Sequence, residues 1–448
     1  MLLRAEWVVP VSRPPIRDGA VLVEDELISA VGPYGQVKAE AGREEVLDLG
    51  QAIIMPGLVD AHSHVMYTVM RGLEDNATLF PWLASGIIGP SGLLGPDDFL
   101  WSARLGCLEA VRAGITCLAD TSPRPLASKA MSEAGLRGIA YLEVFSGEAG
   151  PKEALEVALR TIMNMGKEAS ELIEIGISPH SPYANPPELL RMVAEEARRL
   201  GLKISIHLAE TEEEYEYLVE GRGRLADFFG EAGWGLVRSP GKRPALYLKD
   251  LGLLGPDVLL VHCVHLTGED IRTISASGSP IAHCPKSNAK LGSGIAKVPE
   301  MLEAGIRICL GTDSTASNNV LDMFEEMRMA IFLQRASRAD APILRAEDVL
   351  YMATLGGAEA LGLSDLIGSL EPGKRADITV VKLREGLIPT YDPISALVYC
   401  ASRSDVVMTM VDGHVLYHDG EFTTLNADEV LRACRSIGER LAEELVEG

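Results

Sequence analysis

The 448 residues are 47% hydrophobic and 23% charged, the profile of a globular chain with room for more than one core. Forty-one Lys and Arg against 64 Asp and Glu give a formal net charge of −23. A field of that sign repels phosphate backbones and anionic lipid surfaces, which sets nucleic acid and membrane aside as expected partners.

The first fifty or so residues alternate apolar and polar positions in short runs such as Ala20–Val23 and Leu27–Val31, broken by Gly19, Gly32-Pro33 and Gly35. This reads as strand and turn. The same pattern returns near the end in Ala376–Val381 and Val406–Gly413, where Asp412-Gly413 is a hairpin signal. Between these ends, from Ile53 to about Leu363, short β-branched runs alternate with longer amphipathic segments, as in βα units around a parallel sheet. The strands are predicted at Ile53–Asp60, Ile115–Asp120, Gly138–Val144, Ile173–Ser178, Lys203–His207, Val258–His262, Ser279–His283 and Arg307–Asp313. Eight such units imply an α/β fold, a (β/α)8 TIM-type barrel with its site at the C-terminal ends of the strands. Thr211-Glu212-Glu213-Glu214 reads as a capping box just after a strand, and Thr267 to Asp270 as a weaker one. The connection from Gly221 to Lys249 is long for this position, where long loops often cover a site.

The seven cysteines, Cys107, Cys117, Cys263, Cys284, Cys309, Cys400 and Cys434, are scattered, with no Cys-x-x-Cys pair, and read as small buried residues in a reducing compartment. Met1 to Trp7 lacks a basic start followed by a long apolar core, and no run of about 18 uncharged apolar residues occurs. The expected location is cytoplasmic.

Histidine placement is the informative feature. Of nine histidines, His62, His64, His207, His262 and His283 fall at or just beyond predicted strand ends, and Asp313 closes the eighth strand in the same way. Side chains at that rim converge on one mouth. Three imidazoles and a carboxylate suit Zn²⁺ or Fe²⁺ and leave room for a water. Each residue also has an ordinary reading: an exposed loop for His62 and His64, a hydrogen-bonded core position for His207, a helix cap for Asp313. Taken jointly, ligand-type residues at several independent strand ends favour a metal site. Glu210, three residues beyond His207, adds a ligand-plus-base pairing.

The segments Met55-Pro56-Gly57-Leu58-Val59-Asp60-Ala61-His62-Ser63-His64, Ser178–Tyr183, Ile206–Thr211, Val261–Leu266, Pro285–Asn288 and Gly311–Ser314 together resemble the amidohydrolase superfamily, in its branch of nucleoside-type deaminases and triazine hydrolases. Glu371–Asp377 resembles that family's return into a split β-sandwich. The resemblance implies a small β-sandwich domain from residues 1–55 and 366–448 beside a barrel of residues 56–365. It implies one divalent ion, Zn²⁺ before Fe²⁺, held by His62, His64, His207 and Asp313. Glu210 would shuttle protons, His262 would polarise the substrate or hold the hydroxide, and Asp313 would be ligand and relay together. His180 matches a substrate-contacting histidine; binuclear relatives carry a lysine at that strand, so a single ion is expected. Glu143, Trp82, Arg71 and His283 complete the candidate substrate contacts, although Glu143 also reads as an ordinary rim carboxylate.

The implied reaction is hydrolytic deamination of an amino-purine nucleoside, with water as co-substrate, ammonia as leaving group and a homodimer as an open assembly. Deaminases of S-adenosylhomocysteine usually carry arginines beyond the third strand, but Tyr141 to Glu148 holds none. They also tend to place a glutamate beside the Trp-Leu pair, where this chain reads Phe80-Pro81-Trp82-Leu83-Ala84. Leu142–Phe145, Cys284–Ala289 and Asp313–Asn318 instead look like the aminodeoxyfutalosine deaminases of menaquinone biosynthesis, which makes aminodeoxyfutalosine the expected substrate. S-adenosylhomocysteine, methylthioadenosine, adenosine and triazines are the alternatives, and an inactive scaffold is disfavoured because the whole set from His62 to Asp313 is present.

Overall fold

A computed structural model describes residues 1–42, 44–147, 150–231 and 237–447. Both chain ends enter one nine-stranded mixed sheet. Its central strands are Leu2–Val8, Ala52–Pro56 and Ile378–Lys382, the last two antiparallel with Pro56 opposite Ile378. Leu3, Ile28, Ile54, Ile378 and Met408 form part of its core. The predicted turn at Asp412-Gly413 is present, with both residues at positive φ, as a tight hairpin requires.

Eight parallel strands form the second sheet, in sequential order: β1 (Leu58–Ser63), β2 (Ile115–Ser122), β3 (Arg137–Glu143), β4 (Ile173–Ser178), β5 (Ile204–Leu208), β6 (Val258–His262), β7 (Ile281–His283) and β8 (Ile308–Leu310). The run Ile53–Asp60, read as one strand, is divided at Gly57: Ala52–Pro56 belongs to the mixed sheet and Leu58 begins the barrel. Gly57 donates its N–H to Asp377 O at 2.9 Å, and Leu58 donates to Gly114 O at 3.0 Å. A Cβ on Gly57 would lie 1.9 Å from the Thr116 hydroxyl, so only glycine lets the chain pass between the sheets here. Asp313 lies beyond β8 and not within it.

The barrel nearly closes between β8 and β1. Asp313 donates its N–H to His62 O at 2.8 Å, and Gly311 approaches His62 so closely that a Cβ would meet its backbone nitrogen at 2.9 Å. Beneath that contact the buried Asp60 carboxylate accepts from Thr312 N (2.9 Å) and Thr312 Oγ1 (2.5 Å). Over the mouth, Met66, Leu79, Phe80, Trp82 and Tyr183 pack with Leu225 and Phe229 of helix Arg224–Glu231 and with Ile437 and Leu441 of the C-terminal helix. The described part of the 221–249 connection thus contains helical segments; residues 232–236 of it lie outside the described residues. Among the described helices none is long and apolar enough to cross a membrane. The seven cysteines are free thiols, and all but the exposed Cys400 are buried.

Arg137, at the start of β3, ties the two sheets. Its guanidinium donates to both Asp377 oxygens (2.9 and 3.2 Å) and to Asp412 Oδ1 (2.8 Å). Arg137→Ala leaves the buried Asp377 carboxylate without its cation and should destabilise the fold by about 3–5 kcal/mol. Arg137→Lys, which keeps the charge but loses the fork, should cost less, and urea unfolding of the two variants checks the order.

Candidate metal centre

The strand ends bring the histidines together. His62 is the penultimate residue of β1, against the β8 seam, and His64 is the first residue beyond that strand. Ligand atoms of His62, His64 and His207 lie within 4.8 Å of one another, as do those of His62, His262 and Asp313. Asp313 Oδ1 lies 3.4 Å from His64 Nε2 and 3.6 Å from His62 Nε2. All four of His62, His64, His207 and Asp313 are buried.

Surrounding groups fix how these rings present themselves. His64 donates Nδ1–H to Thr121 O at 2.5 Å and His207 donates Nδ1–H to His180 O at 2.9 Å, which leaves each Nε2 lone pair facing inward. Asp313 Oδ2 accepts from Ser287 Oγ (2.5 Å) and Ser317 Oγ (3.0 Å), so Oδ1 is the free oxygen. Asp120 accepts from Val65 N at 2.6 Å and Ser122 Oγ at 2.5 Å and so anchors the turn that carries His64. Both ring nitrogens of His62 are buried without a hydrogen-bond partner. A buried imidazole of that kind asks for a ligand of its own, and three neutral imidazoles with one carboxylate fit a divalent ion such as zinc.

Electrostatics agree with that donor set. Burial pushes His62 below its ordinary range; burial and the neighbouring histidines push His207 well below it, so both lone pairs are available. Burial opposes charge on Asp313, yet the neighbouring imidazoles of His62, His262 and His64 hold its carboxyl well below the usual range. Burial, then the charges of Asp313 and Glu214, push Glu210 well above its range.

The other candidates distribute unevenly. Glu210 Oε2 lies 3.5 Å from His262 Nε2 at the edge of the histidine cluster. Asn288 Nδ2 lies 3.0 Å from His262 Nδ1 and donates to it, which puts the ring proton on Nε2, and burial holds that ring down at about 3, hence neutral. Glu143 Oε1 and His180 Nδ1 pair at 2.5 Å, and despite burial the imidazole holds the Glu143 carboxyl low. Glu143, His180, Glu210, His262 and Trp82 line a cavity of about 200 Å³ together with His64, His207 and Asp313. Arg71 turns instead to Glu109 at 2.5 Å, and His283 is buried with both ring nitrogens unpartnered; neither is among the cavity's lining residues. The apolar wall of Leu79, Leu83, Ile87, Ile88 and Phe145 was not singled out from sequence, because apolar rim residues look like core ones. Glu148, at the end of the arginine-free stretch, lies outside the described residues.

Residues 53–416 match the model of the Amidohydrolase family. The chain belongs to the amidohydrolase family. This amidohydrolase is 37% identical to the 5-methylthioadenosine/S-adenosylhomocysteine deaminase of Moorella thermoacetica over 432 residues, 96% of this chain and 97% of that one. Among solved structures it is similar to an adenosine deaminase from Xanthomonas campestris with bound zinc (TM-score 0.87, 29% identity, 99% and 98% coverage). The aminofutalosine deaminase of Helicobacter pylori shares the fold at a TM-score of 0.80, 19% identity and coverages of 92% and 99%. The expected tie to the futalosine enzymes therefore holds only at the level of fold, and the full-length resemblance runs to the methylthioadenosine/S-adenosylhomocysteine branch. The protein is an amidohydrolase deaminase that acts on the C–N bond of a cyclic amidine.

Elemental analysis tests the donor set. One divalent ion per chain is expected, and His62→Ala combined with His207→Ala should abolish its retention; two tightly held ions per chain would contradict the geometry.

Proposed function

We propose that the protein deaminates an adenine nucleoside whose 5′ end is uncharged and apolar, with 5′-methylthioadenosine as the preferred substrate. The relatives' activity suggests the nucleoside class, and one observation carries the choice within it. Among the described residues lining the cavity there is no Lys or Arg; the ionisable groups are four histidines, Glu143, Glu210, Asp313 and the hydroxyls of Tyr67 and Tyr183, and much of the remaining wall is aliphatic or aromatic. S-adenosylhomocysteine ends in an amino-acid carboxylate and aminodeoxyfutalosine in an aromatic one. Either would be desolvated beside acceptors, with no cation to meet it. A methylthio group meets Leu79, Leu83 and Phe145 without that cost.

In this reading His62, His64, His207 and Asp313 hold one divalent ion, which when bound supplies Lewis-acid activation of a water. Glu210 takes a proton from the attacking water and passes it to the ring nitrogen beside the amino-bearing carbon. The new C–O bond forms at that carbon; the water's second proton, now on the added hydroxyl, moves to the amino nitrogen, and the C–N bond breaks as ammonia departs and the C=O bond forms. The raised affinity of Glu210 for a proton suits the delivery half of that shuttle. His262, neutral and protonated at Nε2, donates toward the oxygen on which charge develops. The Glu143–His180 pair and Trp82 contact the nucleoside.

Glu210→Gln should keep the ion and substrate affinity while kcat falls by about 10²–10⁴-fold. Asp313→Asn should weaken both turnover and metal retention, since an amide oxygen is the poorer ligand. An ammonia-release assay over methylthioadenosine, adenosine, S-adenosylhomocysteine, aminodeoxyfutalosine and a triazine checks the substrate. Methylthioadenosine should exceed both carboxylate-bearing nucleosides in kcat/KM by about 10- to 100-fold, the worth of about 1–3 kcal/mol for a polar group left unpaired. A higher kcat/KM for either carboxylate-bearing nucleoside would overturn the assignment.

A further inference from the structure

The motif Thr211-Glu212-Glu213-Glu214 forms only half of the capping box that its spacing predicts. Thr211 Oγ1 accepts the Glu214 N–H at 3.2 Å, as it should at the start of helix Glu212–Glu220. The reciprocal bond, from Thr211 N–H to the Glu214 carboxylate, is not what this side chain makes. Glu214 turns under the rim instead: Oε1 accepts Ala209 N–H and Oε2 accepts Glu210 N–H, both at 2.9 Å, with the side chain buried.

Those two amides are consecutive and straddle a residue in an unusual conformation. Ala209 has φ +49°, in the left-handed region that a Cβ disfavours. A left-handed residue turns successive N–H groups toward one point, a concavity that suits an anion, and here the Glu214 carboxylate fills it. The carbonyls of the same turn are held from the other side, since Leu208 O accepts Cys263 N–H (3.0 Å) and Ala209 O accepts His265 N–H (2.9 Å). The peptide planes on both sides of Ala209 are thereby fixed, and with them the direction in which Glu210 leaves the backbone. That direction brings Glu210 Oε2 to 3.5 Å from His262 Nε2.

We infer that Glu214 is the positioning residue of Glu210: its carboxylate clamps the strained turn at Ala209 through two main-chain amides and so sets the reach of the proton-shuttling side chain. The inference rests on the proposed role of Glu210. Glu214 touches no substrate in this scheme and acts through the backbone alone.

Glu214→Gln keeps the volume but offers one acceptor oxygen and turns an NH₂ toward the second amide. In the zinc-loaded full-length protein, kcat for methylthioadenosine should fall by about 10- to 100-fold, the order expected for a misplaced catalytic group. KM should change by less than about 3-fold and the ion should stay at one per chain. The decisive reading is the double variant. If Glu214 works through Glu210, then Glu214→Gln costs less than about 3-fold in a Glu210→Gln background, because the group it aims no longer shuttles protons. Equal losses in both backgrounds would mark Glu214 as merely structural and overturn the inference, as would a wild-type kcat for folded Glu214→Gln. Should Glu214→Gln fail to fold, Glu214→Asp, which keeps the charge but reaches only one amide, is read by the same comparison. Full activity of Glu210→Gln alone would instead sink the shuttle assignment itself, a result that the single variant distinguishes from failure of the Glu214 inference.

Discussion

The site depends on the seam where the last barrel strand meets the first. Asp313 N–H on His62 O at 2.8 Å is the contact that brings a carboxylate from near residue 313 to histidines from near residue 62. It needs Gly311, because any side chain there would collide with the His62 backbone, and it needs Asp60 below, whose carboxylate is pushed up to about 7 by burial yet is spanned by Thr312. Two ligand-bearing segments therefore meet at one place for reasons of closure and not of chemistry. The chemistry uses what closure supplies.

Around that seam the polar groups are arranged in layers. Main-chain carbonyls of Thr121 and His180 orient His64 and His207, hydroxyls of Ser287 and Ser317 occupy one oxygen of Asp313, and the amide of Asn288 sets the tautomer of His262. Behind these stands Glu326, fully buried and pushed up to about 8 by burial, which accepts from Asn318 Nδ2 at 2.6 Å while that amide also donates to Thr312 O. Asn318, fixed by Glu326, thus holds the backbone just before Asp313. Each layer restricts rotamers of the one inside it, so the donor atoms are in place before an ion arrives and little reorganisation is needed to bind one.

How far this could be read without a structure differs by residue. His62, His64, His207 and Asp313 were legible because β/α alternation places strand ends at one rim, and residue type at a strand end is visible in a sequence. The division of Ile53–Asp60 at Gly57 was not: both halves are apolar and β-branched, and only the collision with Thr116 reveals the change of sheet. Arg71 and Glu109 lie 38 positions apart, so the pairing that turns Arg71 away from the cavity carries no sequence signal. Glu214 was misread for a related reason. Its spacing from Thr211 satisfies a local rule, but the strained turn just upstream, with two free amides, competes for the same carboxylate and wins.

The same competition bears on what the cavity can admit. Sequence resemblance between Leu142–Phe145 and futalosine enzymes concerned a short stretch whose most prominent member, Glu143, is committed to His180 at 2.5 Å. A short motif of this kind reports the framework that holds a histidine more than the ligand beyond it. The apolar wall contributed by Leu79, Leu83, Ile87 and Ile88 belongs to the segment between β1 and β2. In the proposed reading, selectivity for the 5′ end of a nucleoside resides in this wall, while the proposed metal ligands and Glu210 come from strand ends and the turns just beyond them. In that reading, placing a cation among those aliphatic side chains is expected to change which substrate is met, because the seam, the histidines and the turn that aims Glu210 lie on other segments of the chain.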